Sequence, residues 1–382
     1  MTRAPDLADA GGKPLLAPDL FHGLEGVTHL AAGGETPPLK SHADAVARFF
    51  ADKAAGMPGR RRFMAVADRV RGKIGHLAHL SAAEVGFLST ASDGLSIAAA
   101  GLALQAGDNV VCAPTEFPSV ALPFQRLAAH GVEIRPAGNE IVAEIEDYAG
   151  AINGRTRAIA VSHVSHLTGA RADLAGLRAL ADTVGARLIV DVSHSLGVVP
   201  VDGTLCDALV GSCYKWLLGV HGVAVFAVNA ARWPHLAPAA LGWHAVVNEE
   251  DWRARRTFTI EAGMERFEPG NLPFLNLALL ENGIDHLLGL GESAVAVHID
   301  ALATPLREGL AALGSKVTTP APSRRRAGNV VILSENPLAI EAALRAEGIL
   351  VWAGEGRVRL SAHVYNDRAD IDRALAGLAR LG

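Results

Sequence analysis

Long apolar runs are missing from this chain. Half of its 382 residues are hydrophobic, yet no apolar stretch reaches the ~18 residues that a membrane span requires. The opening MTRAPDLADAGGKP has neither a long apolar core nor a cleavage site of the secretory kind. The expectation is a soluble, cytoplasmic protein with no membrane partner. Cysteine is scarce. Cys112, Cys206 and Cys213 are the only three; they sit in apolar, strand-like contexts without metal-ligand spacing, which argues against a disulfide framework and against a metal site. An excess of charge is also missing: 35 basic and 40 acidic residues give a net charge of −5, too balanced for a nucleic-acid or anionic-membrane surface. RRR at 60–62 and again at 324–326 reads as solvated loop charge in both places. There is no internal repeat and no low-complexity segment beyond a bias to alanine.

What is present is an alternation of helical and strand patterns. HLSAAEVGFLST reads as a helix feeding a short strand, SIAAAGLAL as a helix, and NVVCAP as a buried strand after the turn signal Ala-Gly-Asp. VALPFQRLAAHG is a helix that stops at Gly131; VEIRPAG, AIAVSHV, RLIVDVS, ALVGSC and VAVFAV are strands. Strands separated by helices imply parallel pairing with right-handed crossovers, hence an α/β fold with a large, doubly wound, mostly parallel sheet. After about Pro269 a long helix, NLALLENGIDHLLGLG, leads into an α+β stretch with strands near NVVILS, GILVWAG and RVRLSA. Length also suits two domains. The expected division is an N-terminal segment, 1–45, packing with the small domain, a large domain, 46–255, and a small C-terminal domain, 256–382.

Ligands of such sheets bind outside the carboxyl ends of the strands, where Ser92, Phe117, Ser165, Asp191 and Lys215 all fall. Singly, most of these have plain explanations. Ser92 or Asp93 could cap a helix, Phe117 could be core, His166 could be a satisfied buried histidine, and Asp191 could cap a turn. Lys215 is different, because a lysine inside CYKWLL is expensive to bury unless chemistry or pairing explains it. It follows Asp191 by 24 residues, one strand later. An acid at one strand end and an apolar-flanked lysine at the next are what a pyridoxal 5'-phosphate enzyme needs. The amine forms a Schiff base with the aldehyde, and the carboxylate keeps the ring nitrogen protonated.

DVSHSLGVVPVD followed by SCYKWLLG resembles the fold-type I pyridoxal phosphate enzymes of the class V aminotransferase superfamily, which includes kynureninases, cysteine desulfurases, isopenicillin N epimerase and aminotransferases. Tyr214 before the lysine and SHS after the acid are most similar to kynureninase. The motif order runs from about Ser89 to the C-terminus. The resemblance implies that Lys215 carries the Schiff base, Asp191 meets the ring nitrogen and His194 supports the phenolic oxygen. It places Ser92, Asp93 and Gly94 in the phosphate-binding turn, with the Asp93 side chain turned away, and Phe117 flat against the ring. The acid that ends the kynureninase FPTD is replaced here by Val120. Ser165, His166 and Thr168 fall in a loop that contacts the cofactor hydroxyl or the substrate; Ser212 and Tyr214 match hydroxyl donors to the phosphate. Gly219, His221 and Gly222 lie in a loop near the cofactor edge or the partner subunit. Asn271 matches a residue that crosses to the phosphate of a homodimer with shared active sites. Arg359 matches the arginine that grips the substrate α-carboxylate, with Arg357 on the same strand face as the rival choice. Trp243, His244, Phe274 and the N-terminal segment would line the side-chain pocket.

The implied substrate is an amino acid, whose amine takes over the Schiff base and frees Lys215 to act as base at Cα. Three outcomes follow: loss of a side-chain substituent by a lyase, amino transfer to a keto acid, or epimerisation. VTTPAPSRRRAGNVV, where cysteine desulfurases of this group carry their nucleophile, has no cysteine. The first expectation is therefore a kynureninase-like or C–S lyase-type cleavage, then an aminotransferase, then an epimerase. A regulatory module would lack the lysine or carry a fused DNA-binding domain; neither is seen.

Overall fold

The computed structural model describes residues 11–138, 141–247 and 258–381. The expected boundary at 255/256 and residues 1–10 of the N-terminal segment lie outside the described residues. Strand β1 (Thr28–His29) precedes helices α1 (His42–Ala54) and α2 (Met57–Ala78). An alternating run follows: β2 (Val85–Leu88), α3 (Ala91–Gly101), β3 (Asn109–Cys112), α4 (Pro118–Gln125), β4 (Glu133–Pro136), α5 (Ile145–Ala151), β5 (Thr156–Ser162), α6 (Leu174–Val184), β6 (Arg187–Asp191), β7 (Ala208–Ser212) and β8 (Ala224–Val228). The C-terminal third comprises α7 (Phe274–Leu290), α8 (Glu292–Ala312), β9 (Asn329–Leu333), α9 (Pro337–Ala346), β10 (Ile349–Leu350), β11 (Trp352–Gly354), β12 (Arg357–Ser361) and α10 (Arg368–Ala379).

Seven strands form the large sheet in the order β2-β8-β7-β6-β5-β3-β4. Its central strands are apolar at nearly every position because both faces are covered. Leu188 and Val190 of β6 join the core under α2, α6 and α7; Ile189, between them, joins the core under α3 and α4. The expected parallel pairing holds from β4 to β7. It fails for VAVFAV: β8 runs antiparallel to both β7 and β2. The reason is local, since the Cys213–Val223 connection contains no crossover helix and only an intervening crossover lets the chain return parallel. The sheet is thus the mostly parallel, doubly wound one expected.

A second, antiparallel sheet, β11-β12-β9, puts Val358 and Leu360 into a separate core with α8 and α10. The N-terminal segment is tied to this part. Strand β1 pairs with β10, Ala31 bridges to Ser361, and the Leu16 amide donates to the Val364 carbonyl (3.0 Å). The first RRR run is solvated as expected, with Arg61 and Arg62 exposed, but it is helical and not a loop, and the second is partly buried. The first lies within α2, where Arg62 pairs with Asp52 and Arg60 donates to Asn271. In the second, Arg326 is only 4% exposed and pairs with Asp300, while Arg325 pairs with Glu144. Carboxylates placed by α8 and by the turn before α5 draw these guanidiniums inward. No single helix among the described residues is long and apolar enough to cross a membrane.

Several imidazoles are buried in the neutral state. Burial pushes His163 and His363 down to about 3 and His29 down to about 4, and also lowers His42, His166, His194 and His298. A folded pKa below the unfolded 6.5 means that only the unfolded chain takes up protons as pH falls from 6.5 to the group's folded value, which lies at about 4 for His29 and about 3 for His163, His166 and His363. Each such group then weakens the fold by about 1.4 kcal/mol per pH unit. Buried Glu116, Asp191 and Glu268 shift upward and oppose this, but they are fewer. Urea unfolding of the cofactor-free protein should therefore show a midpoint that drops steeply between pH 6.5 and 4.5. A midpoint unchanged over that range would contradict the buried neutral state.

Candidate active site

The site forms where β5, β6 and β7 end. Asp191 is the last residue of β6; it is 6% exposed, and its Oδ1 accepts from the Ser193 amide (2.7 Å). Burial raises its pKa and the Lys215 charge opposes the rise. Lys215 follows β7 by three residues in a loop seated by the buried Trp216, Leu217 and Leu218. Thr36 pins that loop from the N-terminal segment, its Oγ1 donating to the Tyr214 and Lys215 carbonyls (3.0 and 2.9 Å). The Lys215 side chain is 8% exposed, and burial pushes its amine down to about 8.

The proton positions follow from the hydrogen bonds. Ser361 Oγ donates to Asn329 Oδ1 (2.8 Å), which turns the Asn329 amide nitrogen toward His194 Nδ1 (3.0 Å). Nδ1 must then accept, so Nε2 carries the proton and faces Lys215 Nζ at 3.3 Å. Burial keeps this imidazole neutral. A neutral donor opposite Nζ favours the unprotonated amine, in keeping with the lowered Lys215.

A cavity of about 300 Å³ brings together Ser92, Phe117, His166, Asp191, His194, Ser212, Tyr214, Lys215, His221 and Gly222. Among the lining residues are 89–92, where the chain enters α3, and Ser212, whose amide donates to Ser193 Oγ (2.9 Å). Phe117 caps the start of α4 with its ring centroid 5.8 Å from Lys215 Nζ, and its ring meets His166 edge-on at 5.0 Å. Burial, then Arg359, Lys215 and Arg357, push His166 down to about 3.

Other expected residues stand outside the lining. Asp93 closes a capping box with Thr90, which is the N-cap of α3, so the Asp93 carboxylate is turned to its own helix end. Gly94 faces the sheet, where a Cβ would stand 3.1 Å from Val210 and Phe226; its lack of a side chain lets α3 close on β7 and β8. Ser165 Oγ accepts from the Leu167 and Thr168 amides (3.2 Å each), shaping the loop that carries His166. Gly219 packs on the Cys213 carbonyl. Asn271 is exposed and accepts from Arg60 (2.8 Å), and Trp243, His244 and Phe274 lie away from the cavity. Arg359 is 3% exposed, donates to the His166 carbonyl (3.0 Å) and stacks 4.7 Å from the Trp352 ring centre.

Some groups at the site are not among the site residues expected from the sequence. Thr36, Ser193 and Asn329 hold Lys215, Ser212 and His194 as described. Glu116 accepts from the Ser162 amide and hydroxyl (2.8 and 2.5 Å), and burial raises it to about 7. Glu35 binds the His221 imidazole (2.7 Å), which stacks on Tyr214 at 3.9 Å. Ser193, in the SHS after Asp191, Asn329, a polar residue opening an apolar strand, and Glu116, next to Phe117, left a signal in the sequence; Thr36 and Glu35 did not.

These groups suit pyridoxal 5'-phosphate. The buried carboxylate of Asp191 makes no ion pair among the described residues, as a site for a protonated ring nitrogen requires. A buried amine stands ready for the aldehyde, and hydroxyls with a helix N-terminus suit a phosphate.

The Aminotransferase class-V family profile matches residues 52–374. Among curated proteins, the chain is 24% identical over 298 residues to the uncharacterized aminotransferase YcbU of Bacillus subtilis, covering 78% of each. It is 27% identical over 321 residues to a probable cysteine desulfurase of Pyrococcus abyssi, covering 78% of this chain and 79% of that one. Among solved structures, the apo cysteine desulfurase of Thermococcus onnurineus superposes with a TM-score of 0.87 at 21% identity, covering 100% of this chain and 98% of the other. The complex of the cystine C–S lyase C-DES with cysteine persulfide gives a TM-score of 0.85 at 21% identity, over 94% and 99% of the two chains. The fold expected from the strand-end acid and lysine is thereby borne out, and the chain belongs to the class V aminotransferase family of pyridoxal 5'-phosphate enzymes.

Proposed function

We propose that this enzyme is a carbon–sulfur lyase that releases sulfur from a cysteine-type amino acid as a small molecule. A substrate such as cystine would take up one water and yield pyruvate, ammonia and cysteine persulfide. The bound cofactor supplies an electron sink for the pair left at Cα. Lys215 takes the α-proton, its amine unprotonated by virtue of burial and of the His194 Nε2–H that faces it. Asp191 would hold the protonated ring nitrogen, Phe117 would lie against the ring, and Ser92, Ser212 and Tyr214 would bind the phosphate. Arg359, with a guanidinium edge free for two parallel hydrogen bonds, takes the substrate α-carboxylate.

The observation that carries the choice of lyase concerns the cysteines. All three are buried, none lines the cavity, and burial pushes each thiol up to about 12. A thiol that cannot ionise is a poor sulfur acceptor, which argues against transfer to the protein and for release to solvent. Val120 argues against kynureninase-type hydrolysis, being fully buried under the sheet where an acid would be expected. A homodimer is part of the proposal: exposed Trp243, Val247 and Phe258 would pack against a second copy, near Asn271. So is the division into an N-terminal segment, a large cofactor-binding domain and a small domain.

Incubation of the loaded enzyme with cystine, cysteine, kynurenine and alanine, without a keto acid, tests this. Pyruvate should accumulate over many turnovers from a sulfur substrate while the visible band recovers. Single-turnover conversion of the cofactor to its amine form would instead identify an aminotransferase. Racemisation without pyruvate would identify an epimerase, and anthranilate from kynurenine a hydrolase; each would overturn the lyase.

A further inference from the structure

Arg357, Arg359 and Ser361 share one face of β12, since alternate strand residues point to opposite sides; the intervening Val358 and Leu360 are buried in the smaller core. That polar face is turned toward the active site. Ser361 reaches His194 and hence Lys215 through Asn329. Two residues back, Arg359 grips the main chain of His166. Two further back stands Arg357, whose side chain donates to the Glu355 carbonyl (2.6 Å). Successive groups on such a face are ~7 Å apart, so the row leads from the depth of the site toward its mouth.

Neither guanidinium forms an ion pair among the described residues, and the Nε of each is buried without an acceptor. Burying such donors unsatisfied is costly, whereas the Nε and Nη edge of a guanidinium is shaped to receive a carboxylate in two parallel bonds. His166, which lines the cavity, feels the charge of both arginines. Arg357 stands two residues before Arg359 on that face and is the less buried of the two. Across the sheet from Arg357 stands Gly354, and the Trp352 indole that stacks on Arg359 lies over it, 2.9 Å from where a Cβ would be.

One carboxylate satisfies Arg359, and Arg357 is left over. We propose that Arg357 forms a second carboxylate subsite, ~7 Å outward from Arg359, which selects amino acids whose side chain ends in a distal acid. The assignment rests on Arg359 taking the α-carboxylate. In a carbon–sulfur lyase the distal acid would belong to the departing sulfur half of the substrate.

Calorimetric titration of the cofactor-loaded protein with butyrate, glutarate and adipate tests the subsite. At least one diacid should bind about tenfold more tightly than butyrate. Arg357→Gln should bring the diacids down to the butyrate level, and Arg357→Lys should keep part of the gain by charge without the two-point geometry. Equal binding of all three acids by the wild type, or no measurable diacid binding, would overturn the proposal. So would an Arg357→Gln variant that weakens butyrate as much as the diacids. These probes contain neither amine nor sulfur. A preserved diacid preference without pyruvate release from any sulfur substrate would therefore sink the lyase and leave the subsite standing.

Discussion

Replacing Lys215 by Ala removes the borohydride-trappable link between protein and cofactor and lowers turnover by at least ~10³-fold. Two properties of the side chain lead to this expectation. The residue is 8% exposed and its amine is pushed down to about 8, so a fraction is unprotonated near neutral pH and able to attack a carbonyl or accept a proton. Its position is also fixed: the loop is seated on buried Trp216, tied by Thr36, and Nζ lies 3.3 Å from a histidine nitrogen that donates to it. An alanine retains none of this. Lys215→Arg should be equally inactive, since a guanidinium stays charged and cannot act as nucleophile or base. In the wild type, any step that uses the free amine should accelerate as pH rises toward and through 8, then level off. A trapped adduct that survives in Lys215→Ala, shown by mass spectrometry of the reduced protein, would place the attachment on another residue.

The residues that were legible in the sequence are those whose chemistry clashes with their local pattern. Asp191 and Lys215 interrupt apolar runs at the ends of neighbouring strands, and a charge in such a place calls for an explanation on the pattern alone. Of the groups around them, Thr36 sits in an ordinary local setting, and Asn329, though polar at the start of an apolar strand, names no partner. Thr36 lies 179 residues from Lys215 and Asn329 lies 135 from His194; only the closure of the N-terminal segment and the smaller sheet over the large one brings them together. Direction of pairing escaped for a similar reason. VAVFAV is as apolar as a parallel strand, because β8 is buried on both faces, and what reverses it is the missing crossover helix. Asp93 and Gly94 show the converse. They lie beside the cavity in sequence, but helix capping and close packing of α3 occupy them. Gly169 is a further case: its φ of +70° and a Cβ position 2.1 Å from the Asn329 carbonyl admit only glycine beside the strand that supports His194, although nothing around it in the sequence marks it as special.

Asp191→Asn should make the cofactor-free protein more stable while lowering activity at least ~10²-fold. The wild-type carboxylate is buried, forms no ion pair among the described residues, and has a pKa raised by that burial. A folded pKa above the unfolded one means that the folded state holds its proton longer. Stability is then lost as pH rises from the unfolded value of 3.8 through the raised folded value. At pH 7.5 the cofactor-free fold therefore carries the cost of an unpaired buried charge, which an amide of the same shape removes while still accepting from Ser193. A Tm higher by about 2–4 °C is expected at pH 7.5, and the gain should shrink as pH falls toward the unfolded value of 3.8. Cofactor loading should reverse the order, since a protonated ring nitrogen gives the carboxylate its missing partner and gives the amide none. Wild type should thus gain more in Tm on loading than the variant does. Calorimetric scans of both proteins, with and without cofactor, read all four values. A variant less stable than wild type when cofactor-free, or an equal gain on loading, would show that Asp191 is held for structure rather than for a charge that arrives with the ligand. The opposite pattern would mean that the buried acid is a standing cost to the empty protein, kept because the loaded site requires it.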